Sequence, residues 1–348
     1  MNSLSLRERI AAAFNLLPTA IYDTFPAVLF GCVLVIACRL WIFESLVDHP
    51  RTAGEVAGSL QLHPRGVELI LASLTASGYV RKKNQKYTLT PQAKKWLLKS
   101  SPAYIGNFLA YIGILHSHWN DLEKTLRQGF PPKTYVETFT TEDWTTFTLG
   151  MMDLARLTMP YVLPKLTIPL HSRNLLDICG SHGLYSIELC KRYPSLQATI
   201  ADFPDVLATT GGILQEHGMQ ERIKTLPCNV LETSFGRETS DVVLAFNIVH
   251  GFDEEKNSRL FHVIASALRP GGIVFILDQL EDQGASGAAR LLPLMVGLNV
   301  FNEIGGSIYS FEKIKTFCRD AGLHAVTLHR LRLPGVTLVR AEKPPLTG

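Results

Sequence analysis

The nine residues Leu175-Leu-Asp-Ile-Cys-Gly-Ser-His-Gly183 constrain the fold of this chain more than any other stretch. Residues 175–178 are a short apolar run of the kind that makes a buried strand. Gly180, Ser181 and Gly183 then mark a turn, and Leu184, Ile187, Leu189 and Cys190 follow with a helical pattern. Strand, small-residue turn and helix in that order bring backbone N–H groups up to a polar ligand at a helix N-terminus. The next apolar run, 198–201, ends in Asp202. That acid lies about 20 residues past the turn, where a carboxylate can accept from ribose hydroxyls. A nucleoside-containing cofactor is the expectation.

Two later segments repeat the theme. Asp241-Val-Val-Leu-Ala-Phe-Asn-Ile-Val-His250 is an apolar run leading into polar residues, and Leu268-Arg-Pro-Gly-Gly-Ile-Val-Phe-Ile-Leu-Asp278 reads as a helix end, a Pro-Gly-Gly break and a buried strand ending in an acid. Open α/β sheets bind ligands at the carboxyl ends of their strands, where these polar residues fall. From about residue 171, strands near 174, 198, 223, 241 and 272 alternate with helices, which predicts a parallel, doubly wound sheet. The stretch 310–343 reads as helix, strand and strand, with breaks at Gly322 and Pro334-Gly335, and 343–348 as a frayed tail.

The N-terminal part has another character. Residues 16–100 read as three helices and a hairpin: Thr52 caps a short helix, His63-Pro64 turns into a second over 65–77, and Gly78 ends it. Arg81-Lys-Lys-Asn-Gln-Lys86 is then the polar tip of a hairpin. That is a winged-helix pattern. DNA binding through Arg65, Lys82, Lys83 and Lys86 is the weaker alternative, because Val67, Leu69, Ile70, Leu71 and Leu74 leave the would-be recognition helix few side chains suited to base edges. A net charge of +3 over 348 residues gives no general nucleic-acid role either.

Residues 26–38 are almost wholly apolar, but Arg39 and Glu44 follow, and the run is shorter than the ~20 residues of a spanning helix. It reads as a buried helix suited to a subunit interface, not as a membrane anchor or signal sequence. With 46% hydrophobic and 19% charged residues the chain has ample core for about two domains. Its six cysteines show no CxxC pair and no zinc-like spacing, so no metal is expected and a reducing cytoplasm is the simplest location. Residues 101–170 are mainly helical, with a break at Gly129-Phe-Pro-Pro132. His116 and His118 stand two apart, which on a helix points them away from each other and argues against a metal pair.

The order Leu-Asp-Ile-x-Gly-Ser-x-Gly, Asp-x-Pro, Asn-Ile-Val-His-Gly-Phe-Asp-Glu-Glu and Leu-Arg-Pro-Gly-Gly resembles class I S-adenosylmethionine (SAM)-dependent methyltransferases. More narrowly, the chain is similar to O-methyltransferases with an N-terminal winged-helix dimerisation domain, the group of caffeate-type, acetylserotonin-type and bacterial natural-product enzymes. The resemblance implies three segments: a dimerisation domain over 1–100, a helical connector that helps form the acceptor pocket over 101–170, and a Rossmann-like α/β domain over 171–348 with an antiparallel edge hairpin. It implies a homodimer through the N-terminal domain, a small-molecule acceptor, SAM as cofactor and S-adenosylhomocysteine (SAH) as product.

Residue by residue, the resemblance assigns the cofactor to Asp177, Gly180, Ser181, Gly183, Asp202, Phe203, Asn229, Val230 and Asn247. It assigns the acceptor to His116, Trp119, Met151, Met295 and Asn299. His250, in His250-Gly-Phe-Asp-Glu, matches the family's general base, and Asp278 its first orienting acid, one methylene shorter. The chain departs from the pattern in three places. Cys179 replaces the loop's first glycine, Asn229 stands where an Asp is usual, and Gly305-Gly-Ser-Ile308 lacks the Glu of Gly-Gly-x-Glu. Methylation of an aromatic hydroxyl on a small secondary metabolite is therefore the leading expectation. The missing acid leaves room for a nitrogen, carbon or carboxylate acceptor needing less base, or for a SAM-binding homologue of different chemistry.

Overall fold

The computed structural model describes residues 6–281, 286–333 and 335–345. Of the expected breaks and tail, Pro334 and residues 346–348 lie outside the described residues. The chain divides into two compact units, one ending at Ile114 and the other beginning at Leu115, so the helical segment 101–170 is shared between them.

The N-terminal unit contains α1 (Leu6–Ala13), α2 (Thr19–Arg39), α3 (Ala53–Leu60), α4 (Pro64–Ala76), β1 (Val80–Lys83), β2 (Lys86–Leu89), α5 (Pro91–Trp96) and most of α6 (Gly106–His118). Thr52 caps α3 as expected. Its side chain accepts from the Glu55 amide at 3.2 Å, and Glu55 accepts in return from the Thr52 amide at 2.6 Å. The antiparallel hairpin β1–β2 reverses at Asn84 and Gln85, both with positive φ, as a two-residue turn requires. Val67, Leu71 and Leu74 of α4 join Phe43, Val56 and Tyr87 in the core, and Arg65 pairs with Glu68 at 2.9 Å.

Residues 26–38 do form helix, within the longer α2, and inside the single chain it is only partly covered, as a helix suited to a subunit interface would be. Phe30, Val33, Leu34 and Ala37 pack on the core, whereas Ile21, Phe25, Val28 and Leu29 are exposed. Being apolar all round, α2 carries more apolar surface than one small unit can cover. By length and composition alone it could cross a membrane.

The second unit continues with α7 (Leu122–Gln128), α8 (Tyr135–Thr138), α9 (Thr141–Val162), β3 (Asn174–Ile178), α10 (Leu184–Arg192), β4 (Gln197–Asp202), α11 (Pro204–Glu216), β5 (Ile223–Pro227) and β6 (Ser240–Phe246). It ends with α12 (Glu254–Ala267), β7 (Leu268–Asp278), α13 (Ala288–Ile304), α14 (Phe311–Asp320), β8 (His324–Arg330) and β9 (Thr337–Glu342). The sheet order is β5-β4-β3-β6-β7-β9-β8, parallel from β5 to β7 and closed by the antiparallel pair β9 and β8. Strands reading as unbroken apolar runs need both faces covered. Accordingly Leu175, Leu244 and Phe246 pack toward α9, α10 and α11, while Leu176, Ile178, Val243 and Ala245 pack toward α12 and α14. The break expected at Pro270-Gly-Gly272 is an irregularity within β7, whose pairing to β6 shifts register there. Strand order reverses around β3, so the crevice at its carboxyl end is where such a sheet holds a ligand.

Candidate active site

The turn after β3 is built for close approach. Cys179, Ser181 and Gly183 all have positive φ, and the Cys179 amide donates to Ala201 at 2.7 Å, tying the turn to β4. A Cβ on Gly180 would lie 2.5 Å from the Asp177 carboxyl carbon, and one on Gly183 2.5 Å from Ile200. Asp177 itself is buried beneath the turn, where Ser186 donates to it at 2.6 Å. Burial pushes its carboxyl up to about 7, with Ser186 opposing and the charge of Asp202 adding to the rise. His182, also buried, accepts from the Leu184 amide, and burial with nearby Arg156 holds its imidazole down to about 3.

Asp202 closes the other side. Its two oxygens accept from the Ser181 amide at 3.0 Å and the Phe203 amide at 2.8 Å, which fixes the carboxylate at the head of α11. Burial nevertheless raises it to about 6. Each oxygen still has acceptor capacity, and the Ser181 hydroxyl is buried without a partner among the described residues. Two backbone-anchored acceptor oxygens, an orphaned hydroxyl and a turn with no room for side chains fit a ribose and the polar end of a methionine-like group. Asn229, Val230 and Asn247 follow β5 and β6. The Asn229 side-chain carbonyl accepts from the Leu231 amide at 3.2 Å, and Asn247, at positive φ, accepts from Gln279.

The ends of β6 and β7 bring His250 and Asp278 together. His250 lies in a single helical turn, Val249–Gly251, held by Asn257 of α12, whose side-chain amide donates to Val249 and Phe252. His250 Nδ1 meets Asp278 Oδ1 at 2.5 Å, and the His250 amide donates to Oδ2 at 3.2 Å. Burial lowers the basicity of this imidazole, but the charge and hydrogen bond of Asp278, with help from Gln279, outweigh it and leave the pKa raised. Nε2 is then the nitrogen left to meet a substrate. The Gly305-Gly306 pair has a steric reason, since a Cβ on Gly306 would lie 2.2 Å from the His250 carbonyl oxygen. Ile308, where the second acid is absent, packs on Gly297 of α13.

α13 contacts the His250 turn, α8 and the short helix Trp119–Asp121. Of the residues assigned to the acceptor, Trp119 and Asn299 meet, the indole N–H donating to Asn299 at 2.8 Å. Met151 is half-buried on α9. His116 and Met295 are exposed. The histidine that reaches inward is the other one of the pair: His118 Nδ1 lies 2.8 Å from Glu303. Neither His118 nor Glu303 was marked by sequence, because 185 positions separate them and Glu303 has no motif around it. An aromatic cluster of Tyr135, Phe139, Trp144 and Phe147 adjoins His118, whose ring meets Phe139 edge-on at 5.6 Å. Burial, with Cys179, Asp202 and Glu303 nearby adding to it, pushes the Tyr135 phenol up.

Comparison with known proteins identifies the family. Residues 119–324 match the O-methyltransferase domain and residues 22–100 the O-methyltransferase dimerisation domain. The 3-hydroxy-5-methyl-1-naphthoate 3-O-methyltransferase of Streptomyces sahachiroi is 26% identical, over 93% of this chain and 94% of its own. The acetylserotonin O-methyltransferase of Mus musculus is 23% identical over 89% and 84%. The crystal structure of human N-acetylserotonin methyltransferase in complex with SAM superposes with a TM-score of 0.84 at 19% identity, covering 98% of this chain and 99% of the other. The chain belongs to the SAM-dependent O-methyltransferase family.

Proposed function

We propose that this O-methyltransferase methylates an aromatic hydroxyl of a small secondary metabolite, with His250 as general base and Asp278 as its orienting acid. The observation that carries the reading is the His250–Asp278 contact at the end of β6 and β7. A carboxylate on Nδ1 fixes the tautomer that leaves the Nε2 lone pair free, and it steadies the imidazolium that forms. SAM would supply a methyl on a sulfonium, the acceptor oxygen bonding to that carbon as the C–S bond breaks and SAH leaves. The chain's own work is to hold the acceptor in line and to take its hydroxyl proton on Nε2.

Asp202, the Ser181 hydroxyl and the turn at Gly180 and Gly183 hold the cofactor. Arg156, beside His182, supplies a cation near that turn. Among the described residues no second acid is bonded to His250, and the carbonyl of Gln279, buried there without a hydrogen-bond partner, lies close enough to raise the imidazole's basicity. Relatives that act on a naphthoate and on acetylserotonin support a fused or substituted aromatic acceptor. A cytoplasmic homodimer is the expected form, with six free cysteines and the dimerisation domain in support.

His250→Ala should lower turnover roughly 10²–10⁴-fold on a phenolic acceptor while SAH still binds. Asp278→Asn should move the acid limb of the pH–rate profile to lower pH, because it removes the charge that raises His250. Near-full activity in His250→Ala would shift the assignment to an acceptor that needs no base.

A further inference from the structure

The hydrogen bonds between α13 and the segment 118–125 leave one atom unused. Asn302 is partnered through both side-chain atoms, its amide donating to the His118 carbonyl at 3.1 Å and its carbonyl accepting from Thr125 at 2.9 Å. Asn299 accepts from Trp119. Glu303, one turn beyond Asn299, places Oε2 on His118 Nδ1, but Oε1 is buried with no hydrogen-bond partner among the described residues. The whole residue is only 2% exposed. Burial raises its carboxyl, with His118 opposing.

A buried carboxylate oxygen without a donor is costly, and folded proteins rarely tolerate one away from a site of use. The neighbouring residue, Ile304, lies 3.3 Å from where a Cβ on Gly251 would stand, next to His250. The rings around Phe139, Tyr135 among them, adjoin His118. The acceptor oxygen thus has no donor among the described residues, on a helix that contacts both the His250 turn and α8.

We infer that Glu303, held by His118, reads the acceptor: its free Oε1 accepts a hydrogen bond from a second, neutral O–H or N–H on the aromatic substrate. The inference rests on the function proposed above and narrows its substrate class. An oxygen with only lone pairs to offer calls for a donor, and hydroxyl or N–H groups are the neutral donors an aromatic acceptor carries. The same lone pairs repel a carboxylate, so an acid-bearing acceptor is disfavoured.

The test is equilibrium binding to the SAH-loaded, full-length protein by calorimetry. The probes are 2-naphthol, its 1,3-, 2,3-, 2,6- and 2,7-dihydroxy congeners, and 3-hydroxy-2-naphthoate. The wild type should bind at least one dihydroxy congener roughly 10–100-fold more tightly than 2-naphthol, and the naphthoate more weakly than 2-naphthol. Glu303→Leu should abolish the gain with SAH affinity unchanged. Glu303→Gln, which keeps a carbonyl and the shape, should retain part of the gain and relieve the rejection of the naphthoate. A gain absent from every congener, or one that survives in Glu303→Leu, overturns the inference and leaves the methyltransferase reading intact. Failure of the wild type to methylate any of these hydroxyls while binding SAH overturns the hydroxyl reading and the inference with it.

Discussion

At the residue scale, two buried carboxylates show how position sets chemistry. Asp278 serves His250, whose pKa it raises, whereas Asp202 lies where burial raises it to about 6 even with two amide donors. Ribose hydroxyls donate, so SAH binding favours the ionised form of Asp202. Below about pH 6 the free protein protonates Asp202, and binding must first remove that proton. SAH affinity is therefore expected to fall as pH drops through this range, by up to tenfold per unit. In Asp202→Asn the affinity should be lower throughout and should lose this dependence. Calorimetry between pH 5 and 8 would decide. An unchanged slope in the variant would assign the proton to another group, Asp177 first. Asp202, His250 and Asp278 are legible in sequence because each ends an apolar run or stands just past one, where position implies direction. Glu303 and His118 are not, because their meaning comes from a contact across 185 positions.

The elements explain why the turn after β3 tolerates so little. Three residues at positive φ in five positions bend the backbone sharply enough to present the Ser181 amide to Asp202. Gly180→Ala would drive a methyl onto the Asp177 carboxyl, so it should cost roughly 1–3 kcal/mol of stability and weaken SAH binding at least tenfold. Gly211→Ala, on α11 with open space around it, is the control. It should be neutral or stabilising by about 0.5–1 kcal/mol, a contrast that thermal unfolding would measure. Equal effects at the two positions would mean that crowding at the turn is not what selects Gly180. β3, β6 and β7 fall close to where the apolar runs place them, since a strand buried on both faces leaves an unmistakable run, whereas β5 at the sheet edge is mostly exposed. α13 gives no such signal of orientation: its apolar residues are spread around the helix, and its polar seam at Asn299, Asn302 and Glu303 is defined only by what it touches.

For the whole molecule, the apolar surface of α1 and α2 has to be accounted for. Ile10, Phe14, Ile21, Phe25, Val28 and Leu29 are each at least half exposed in the single chain, with Phe25 at 70%. A contiguous apolar patch of that kind is rare on a soluble monomer. The sequence marks an interface helix, but composition reports how much apolar surface exists and not which chain covers it. The match of residues 22–100 to a dimerisation domain points to a second copy as the cover. The native mass in light scattering should then be twice the 38.6 kDa of the chain at micromolar concentration. Phe25→Asp combined with Leu29→Asp puts two charges one turn apart on the exposed side, where neither residue supports the unit's own core. Burying both in an interface without partners is prohibitive, so the double variant should run as a monomer of unchanged fold by circular dichroism. A wild type that remains monomeric would end the dimer argument. If that monomer also sedimented with lipid vesicles, a bilayer would replace the second copy as the surface that α2 covers.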